Sequence, residues 1–239
     1  LEHWLNEIIG NDKASNGQIA VVDLSLIPYE VLHLTIAVAG RIIFEALQRY
    51  MKSNKVSLPT VLVLEEAHTF ISRSSFQNDE IPTPAAMCRF TFERIAREGR
   101  KFGLGLIVSS QRPSEVSESV LSQCNTFMIH RITNDKDQDI VNRLVPDTAR
   151  GLLRELPSLP TRHCIMLGAA VKIPVMLEIP ALPENKRPRS EDPKFWEVWT
   201  GSEERQIDWK GIADEWQGTG PNQNEIDEKE TTQDDDVPF

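Results

Sequence analysis

The sequence predicts an α/β fold in which helices cover both faces of a mostly parallel sheet. Short apolar runs alternate along the chain with longer segments whose apolar residues recur at helical spacing. The short runs are apolar at nearly every position, which is typical of strands buried on both faces of a parallel sheet. No apolar run approaches the roughly eighteen residues that a membrane span requires, and we expect no membrane partner.

The first part of the chain predicts a helix, a strand, a second helix and a second strand. Residues 1–10 read as the middle of a helix, and because Leu1 is not Met we expect the chain to be part of a longer protein. Residues 17–24 predict a buried strand. Pro28 favours the start of a long helix, and residues 60–66 predict the next strand.

The middle of the chain continues the alternation of helices and strands. A helix predicted over 85–101, rich in arginine toward its end, leads into a strand over 102–111. A short helix over 115–124 and a strand over 125–132 follow. These strands are again apolar along most of their length, as expected for the interior of a sheet.

A capped helix and a pair of strands end the predicted α/β body. Thr133 or Asn134 supplies a side-chain oxygen that caps the next helix. The remaining predicted elements are a short helix over 147–155 and two strands near 163–167 and 171–179.

Composition divides the chain into three predicted parts, which are a core over 1–180, a docking segment rich in proline and tryptophan over 181–217, and an acidic disordered tail over 218–239. Four of the five tryptophans lie between 196 and 216. Residues 181–239 hold 16 acidic and 7 basic residues, whereas residues 1–180 hold 20 and 19. The negative charge therefore belongs to the end of the chain and does not argue against DNA contact by the core.

The three cysteines do not predict a zinc site or a disulfide framework. Cys88, Cys124 and Cys164 are far apart and form no C-x-x-C motif. The five histidines are also scattered along the sequence. We expect free, buried thiols in the reducing environment of the cytoplasm.

Two predicted strands end in side chains that suit phosphate chemistry. "VLVLEEAH" runs four apolar residues into Glu65 and Glu66, and "GLIVSSQ" ends at Gln111. Ligands of parallel sheets bind beyond the carboxyl ends of the strands, so these three side chains are expected at one place. Hydrolysis of a nucleoside triphosphate needs a carboxylate for Mg²⁺, a second that orients water, and a polar group at the γ-phosphate. The alternative is that the carboxylates end a strand and are solvated.

The other half of a nucleotide site is absent from these residues. The glycine-rich phosphate loop has the pattern G-x-x-x-x-G-K-[ST], and the sequence contains no Gly-Lys pair. This segment cannot cradle phosphates by itself, and we expect the loop to lie upstream of Leu1.

Three stretches resemble the C-terminal half of the HerA family over roughly residues 17–180. They are "VLVLEEAHTFI", "IAREGRKFGLGLIVSSQRPSEVSESVLSQCNTFMIHRI" and "LGAAVKIPV", of which "REGRKFG" with "SQRPS" is the most specific. HerA proteins are hexameric DNA-translocating ATPases related to FtsK, with a RecA-like core. The resemblance implies a RecA-like sheet that is incomplete in this chain.

The resemblance also implies roles for the strand-end residues. Glu65 takes the Walker B position that holds the metal, Glu66 the position of the catalytic base, and Gln111 the sensor position. The family usually has Asp where this chain has Glu65, whose side chain is one methylene longer. Arg112 follows the sensor and is a candidate for contacting the nucleotide or for coupling the sensor strand to a subunit interface.

A cluster of basic residues ends the helix predicted over 85–101. Arg94, Arg97 and Arg100 recur at three-residue spacing and are followed by Lys101. Cations suit the end of a helix because of its dipole. Ring ATPases also insert an arginine from one subunit into the site of its neighbour, and by the resemblance Arg97 or Arg100 is the candidate for this arginine finger.

The implied activity is ATP hydrolysis with Mg²⁺, coupled to translocation of double-stranded DNA through a homo-hexamer. Relatives in this family work as helicases with nucleases in DNA end processing, or with nucleases and sirtuin-like NAD hydrolases as effectors in anti-phage defence. Two alternatives stay open. One is a type IV secretion or conjugation ATPase, and the other is an ATPase-like scaffold that organises an effector without efficient hydrolysis.

The last six residues, "DDDVPF", form a separate motif. They resemble the acidic tip of bacterial single-stranded-DNA-binding proteins, which docks on genome-maintenance enzymes through its terminal phenylalanine. The resemblance implies that Phe239 enters an apolar pocket on a partner. A solvating acidic tail, or a tail that folds into the basic channel of the ring, are the alternatives.

Overall fold

The computed structural model describes two compact units, Leu1–Ala181 and Leu182–Phe239. The residues that it describes are 1–10, 18–73, 83–145, 150–183, 186, 195–201 and 208–217.

The first unit alternates helices and strands along most of its length. Its elements are α1 (Glu2–Ile8), α2 (Tyr29–Asn54), β1 (Thr60–Leu64), α3 (Pro84–Glu98), β2 (Leu104–Val108), α4 (Glu118–Leu121), β3 (Thr126–Ile129), α5 (Asp135–Leu144), α6 (Arg150–Leu153), β4 (His163–Gly168) and β5 (Val175–Glu178). Short 3₁₀ turns lie at Ala67–Thr69, Gly99–Phe102, Pro113–Glu115 and Leu156–Ser158. This order confirms the predicted α/β class.

Strands β1 and β2 form a parallel pair, as the sequence predicted. Their register runs from Thr60 opposite Leu104 to Leu64 opposite Val108. The crossover between them contains α3, which packs with α2 against one face of the pair. Buried apolar side chains from both helices and both strands form the main core there, among them Phe44, Leu47, Leu64, Phe92, Ile95 and Leu104. The parallel register brings the carboxyl ends of β1 and β2 to the same edge.

The second face of this strand pair is exposed within the described part of the chain. Val61 is 61% exposed, Val63 50% and Ile107 52%. These side chains alternate with the buried leucines, so the pair buries one face only. The predicted helical cover is therefore present on one face among the described residues, which agrees with a fold that is incomplete in this chain.

The last three strands differ from the predicted parallel arrangement. Strand β4 pairs antiparallel with β3 on one side and with β5 on the other. The connection from Gly168 to Val175 is too short for the crossover that parallel neighbours need, so β4 and β5 form a hairpin. A second apolar cluster, which includes Ile129, Val141, Leu156 and Ile165, covers this sheet. The apolar runs identified the strands but could not fix their direction.

The strand predicted over 17–24 is wrong for the part that the structure describes. Residues 18–24 form no strand, and Ile19 and Val21 are each 87% exposed. A strand needs a neighbour for its backbone groups, and no described strand pairs with this segment. Apolar composition alone was therefore insufficient to predict a strand here.

Two glycines in "REGRKFG" allow the tight connection between α3 and β2. A Cβ on Gly99 would lie 2.8 Å from the carbonyl oxygen of Leu104. Gly103 has a φ of +83°, and a Cβ there would lie 2.9 Å from the carbonyl oxygen of Leu58. The left-handed conformation and the close backbone approach both favour glycine. These contacts set the point at which β2 starts and thus where Gln111 lies.

The second unit contains two short helices among its described residues, α7 (Phe195–Trp199) and α8 (Trp209–Trp216). Their four tryptophans are between 69% and 89% exposed. The predicted acidic tail over 218–239 lies outside the described residues. No helix in the described ranges combines the length and the apolar character needed to cross a membrane.

Candidate functional site

The backbone after β1 turns sharply at Glu66. Glu66 has φ 46° and ψ 44°, a left-handed conformation that non-glycine residues seldom adopt. The turn is held because the Ala67 N–H donates to the carbonyl oxygen of Ser109, and the Ser109 N–H donates to the carbonyl oxygen of Leu64, both at 2.9 Å. These bonds join the ends of β1 and β2. Strain of this kind is kept where the surrounding structure imposes it, which is common at functional sites.

The structure brings Glu66 and Gln111 into direct contact. The Gln111 side-chain amide donates a hydrogen bond of 2.9 Å from Nε2 to Oε1 of Glu66. The two residues are exposed and are 45 positions apart in the sequence. The sequence predicted that these strand ends would meet, and the contact confirms their positions. The Glu66 side chain is 50% exposed.

His68 and Ser110 complete the surroundings of the Glu66 carboxylate. The Nδ1 atom of His68 lies 3.4 Å from Oε2 of Glu66 and 3.1 Å from Oγ of Ser110. The Arg112 N–H donates to the same Oγ at 3.0 Å. Both carboxylate oxygens of Glu66 therefore have a polar neighbour from the protein.

The Glu65 carboxylate is open to solvent. Its side chain is exposed directly after β1, and no described residue forms a hydrogen bond or an ion pair with it. A free carboxylate beside Glu66 supplies the hard oxygen ligand that Mg²⁺ prefers, with water as the other ligands. The described residues contain no cluster of three or more His, Cys, Asp or Glu that would hold a metal by protein ligands alone. The donor set thus fits Mg²⁺ bound mainly through water and phosphate.

Arg112 is anchored to its own turn. Its Nη1 atom lies 3.0 Å from Oε1 of Glu115, and both side chains are exposed. The ion pair keeps the guanidinium beside the 3₁₀ turn that follows Gln111. A role of Arg112 in nucleotide binding would require this pair to open.

The candidate finger arginines contact different neighbours. Arg94 lies over the ring of Phe44 at 5.3 Å and pairs with Glu98 at 3.4 Å. Arg97 lies 4.0 Å from Glu93 and is 51% exposed. Arg100 is exposed in the turn after α3 and has no ion pair with a described carboxylate. The three arginines therefore differ: Arg94 packs against α2, Arg97 pairs with Glu93, and Arg100 has no described ion pair.

Glu93 connects α3 with the segment that follows Gln111. Its side chain is 12% exposed and accepts a hydrogen bond of 2.6 Å from the Ser117 hydroxyl. Arg89 lies 3.8 Å from the same carboxylate oxygen, and its buried Nε has no hydrogen-bond partner. Arg97 is the third member of this group. The group links the helix that carries Arg97 to the chain just beyond Gln111.

The cysteines have no nucleophilic role in the described structure. All three are free. Burial raises the pKa of the Cys88 thiol to about 12 and also raises the pKa of Cys124 and Cys164. A thiol with a raised pKa stays protonated near neutral pH and is a poor nucleophile.

The sequence identified some of the site and missed the rest. It predicted that Glu66 and Gln111 would meet because each one follows a strand, and the roles given to Glu65, Glu66 and Gln111 stay predictions. It gave no role to His68 or Ser110, although both lie within two residues of those positions. The sequence did contain a signal for them, because each is a polar residue in the short connection that follows a strand end, where ligands of parallel sheets bind.

Curated relatives of this chain are DNA repair helicases. It is 30% identical over 205 residues to a protein named DNA double-strand break repair helicase HerA from Saccharolobus solfataricus, which covers 85% of this chain and 39% of the relative. A HerA helicase from Pyrococcus furiosus is 38% identical over 124 residues, or 52% of this chain and 21% of the relative. The chain thus spans about 39% of the length of the Saccharolobus relative. No protein-family model matches it.

Solved structures with partial similarity are viral packaging enzymes. The DNA-packaging ATPase B204 from Sulfolobus turreted icosahedral virus has a TM-score of 0.43 and 15% identity, covering 61% of this chain and 62% of that one. The genome packaging NTPase B204 from Sulfolobus turreted icosahedral virus 2, in complex with ATP-gammaS, has a TM-score of 0.38 and 18% identity, covering 52% and 53%.

Proposed function

Since this chain is a homologue of the HerA helicases over 205 residues, we propose that it supplies the Walker B, base and sensor side chains of a HerA-type ATPase. The observation that carries the proposal is the contact between Glu66 and Gln111 at the joined carboxyl ends of two parallel strands. That edge is where ligands of parallel sheets bind. Glu65 stands beside it with its carboxylate free of described partners.

Each residue has a distinct task in the proposed hydrolysis of ATP. Glu66 is the base that orients the attacking water and accepts its proton. Gln111 contacts the γ-phosphate, and Arg112 is a second candidate for contacting the nucleotide. Glu65 would hold Mg²⁺, which neutralises the charge that develops on the phosphates. The sequence lacks a Gly-Lys pair, so the phosphate loop must come from another part of the enzyme.

The proposed assembly is a homo-hexamer around double-stranded DNA. In such a ring Arg97 or Arg100 reaches the nucleotide of the neighbouring subunit, and both have exposed side chains in the single chain. Coupling of hydrolysis to translocation of the duplex follows from this arrangement. The names of the curated relatives, which are DNA helicases, support DNA as the partner.

We further propose that the enzyme works with an effector protein in the cytoplasm. A nuclease or an NAD-hydrolase-type protein is the proposed effector, in DNA end processing or in anti-phage defence. The three free cysteines suit a reducing compartment. The C-terminal Phe239 is proposed to dock on a protein that binds tips of the single-stranded-DNA-binding type. These partners rest on the sequence motifs alone.

Two other functions would change the expected behaviour of the protein. A type IV secretion or conjugation ATPase would be accompanied by a membrane anchor. An ATPase-like scaffold would bind its effector with or without hydrolysis, and the substitution of Glu65 for the usual Asp favours this second candidate. Measurement of Mg²⁺-dependent turnover separates the scaffold from the enzyme.

The proposal is tested by steady-state ATP turnover in a polypeptide that joins these residues to a phosphate loop. Glu66→Gln should abolish turnover and leave nucleotide binding unchanged, because the amide keeps the shape of the side chain but cannot accept the proton of water. Glu30→Gln, an exposed change on α2, is the control. Turnover of Glu66→Gln within about tenfold of the parent, roughly 1.4 kcal/mol of barrier, would exclude Glu66 as the base. Turnover of ATP by the 239 residues alone would contradict the proposal that the phosphate loop comes from another part of the enzyme.

A further inference from the structure

We propose that His68, oriented by Ser110, is the positioning residue that holds the carboxylate of Glu66 when Gln111 turns to the nucleotide. The inference rests on the proposed function of Glu66 and Gln111. Its starting point is the position of His68 Nδ1, 3.4 Å from Glu66 Oε2 and 3.1 Å from Ser110 Oγ. The His68 side chain is 20% exposed, whereas that of Glu66 is 50% exposed. A largely covered ring thus faces a half-exposed carboxylate.

The hydrogen-bond chemistry of the three groups selects one form of the imidazole. Carboxylate oxygens only accept hydrogen bonds, while the Ser110 hydroxyl can donate or accept. A hydrogen on Nδ1 can be donated to the Ser110 hydroxyl oxygen while it also lies near Oε2 of Glu66, which it attracts. With the hydrogen on Nε2 instead, the Nδ1 lone pair would face the carboxylate, which is repulsive. Ser110 suits either form, and Glu66 therefore favours the form in which Nδ1 carries the hydrogen.

Ser110 is itself fixed in place. Its Oγ accepts a hydrogen bond of 3.0 Å from the Arg112 N–H. The hydroxyl therefore stays beside the imidazole when the side chain of Gln111 moves, because the contact is to the backbone. The position of His68 is thereby tied to the end of β2 and is independent of the Gln111 amide.

The need for this second contact follows from the work of a base. Gln111 occupies Oε1 of Glu66 in the present structure, yet a base needs one oxygen free to accept the proton of water. Release of the Gln111 amide to the γ-phosphate frees Oε1. The carboxylate would then rotate freely unless Oε2 were held, and His68 is the described side chain beside Oε2. His68 thus holds Oε2 in position, and Oε1 becomes free to accept the proton once Gln111 has left it.

A purely structural role for the His68 ring is less consistent with the contacts around it. The 3₁₀ turn Ala67–Thr69 is already fixed by the bond from the Ala67 N–H to Ser109. It is also fixed by the buried His33, whose Nε2 lies 2.9 Å from the carbonyl oxygen of Thr69. Loss of the His68 ring should therefore leave the turn in place.

The first test measures the kinetics of ATP hydrolysis in the polypeptide that includes a phosphate loop. His68→Ala should lower kcat by about tenfold or more and leave KM for ATP within about twofold, because positioning of a base acts on the chemical step. His68→Asn should restore most of the rate, since its amide nitrogen can donate from near the position of Nδ1. His130→Ala is the control, because the Nδ1 atom of that ring contacts a protein oxygen, the backbone carbonyl of His163, on the other sheet.

The outcomes separate this inference from the proposed function. A parent enzyme that turns over ATP, with His68→Ala at the same rate, overturns the inference and leaves the function intact. Equal losses in His68→Ala and His68→Asn, or a loss confined to KM, also overturn it. If the parent enzyme has no turnover, the proposed function fails, and ¹⁵N spectra of the imidazole in the 239-residue chain decide the contact. Glu66→Gln should shift the Nδ1 resonance of His68, and an unchanged resonance would exclude the contact.

Discussion

The side-chain amide of Gln111 donates a 2.9 Å hydrogen bond to Oε1 of Glu66. This bond joins the ends of two parallel strands, and it occupies an oxygen that a catalytic base needs. In the proposed mechanism, this bond holds the base until the sensor turns to the nucleotide. Hydrogen bonds to a carboxylate and to a phosphate are both charge-assisted, so a γ-phosphate can replace Glu66 as the acceptor of the Gln111 amide. Sensing and release of the base would then be one movement.

Gln111→Ala should lower turnover by at least about tenfold, equivalent to roughly 1.4 kcal/mol, and change ATP affinity little. The substitution removes the amide that we propose contacts the γ-phosphate but leaves the Glu66 carboxylate in place. Steady-state kinetics and binding of a labelled nucleotide measure the two effects. Gln123→Ala, at an exposed position beyond α4, is the control. A variant with the parent rate would remove Gln111 from the mechanism.

Arg97→Ala or Arg100→Ala should depress hydrolysis without loss of ATP binding, because a finger acts on the charge of the transition state in the neighbouring subunit. Mixing either variant with Glu66→Gln subunits should restore part of the activity, since the two defects then fall in different composite sites. Turnover is measured as a function of the mixing ratio, with Arg41→Ala on α2 as control. Absence of any rescue would argue that both residues act within one subunit.

Gly103→Ala should destabilise the 239-residue chain by about 1–3 kcal/mol. Alanine at position 103 has to adopt a φ of +83°, and its Cβ would approach the Leu58 carbonyl oxygen to 2.9 Å. Gly105→Ala, two residues further on in β2, is the matched control, because its Cβ would meet Val61 only at 3.6 Å. Urea unfolding gives both values. Equal stabilities for the two variants would show that the connection before β2 tolerates a side chain.

Ser117→Ala should cost about 1–2 kcal/mol in the parent chain and much less in a Glu93→Ala background. The 2.6 Å bond from Ser117 satisfies a carboxylate that is only 12% exposed. Once that carboxylate is absent, the hydroxyl has no partner to lose. Denaturant unfolding of the four chains measures the coupling, with Ser119→Ala at an exposed site as control. Additive losses would show that the two side chains do not interact in solution.

A peptide of residues 224–239 should bind a protein that recognises single-stranded-DNA-binding-type tips, with weak, micromolar-range affinity. Burial of the Phe239 ring contributes roughly 1.5–3 kcal/mol, and the acidic run makes binding sensitive to salt. Fluorescence titration at low and high salt measures both effects. A peptide without Phe239 is the control. Equal binding of the two peptides, or no binding at low salt, would end the docking proposal. Tighter DNA binding by the protein after removal of the acidic run would instead favour an autoinhibitory tail.

The sequence predicted the part of the site that depends on strand order. Glu66 and Gln111 meet because parallel strands place their carboxyl ends at one edge, and that rule needs only the apolar runs before them. The contacts of His68 and Ser110 depend on how two short turns face each other, which no local pattern specifies. The segment from Ile19 to Leu24 shows the opposite error, since its apolar residues predict a strand but strand formation requires a neighbour.

The arginines illustrate a further limit of sequence spacing. Arg94 and Arg97 are three residues apart, yet the first lies over Phe44 of α2 and the second faces Glu93. Sequence spacing predicts which side of a helix a residue lies on. Which residues it contacts there depends on how the helices and strands of the first unit pack together. Such long-range choices could be learned only from the structure.

The parallel register of β1 and β2 has a consequence for synthesis and folding of the protein. Parallel neighbours cannot be joined by a tight hairpin, so the first ladder bond closes a loop that includes the whole of α3. During translation, β1 therefore leaves the ribosome long before β2 has been made, and the apolar side chains of β1 stay exposed to solvent until then. Glu66 and Gln111, 45 positions apart, come together only after β2 has been made. The site thus assembles late, and a ribosome that stalls before the codon for Gln111 yields a chain with exposed apolar residues that a chaperone would have to bind.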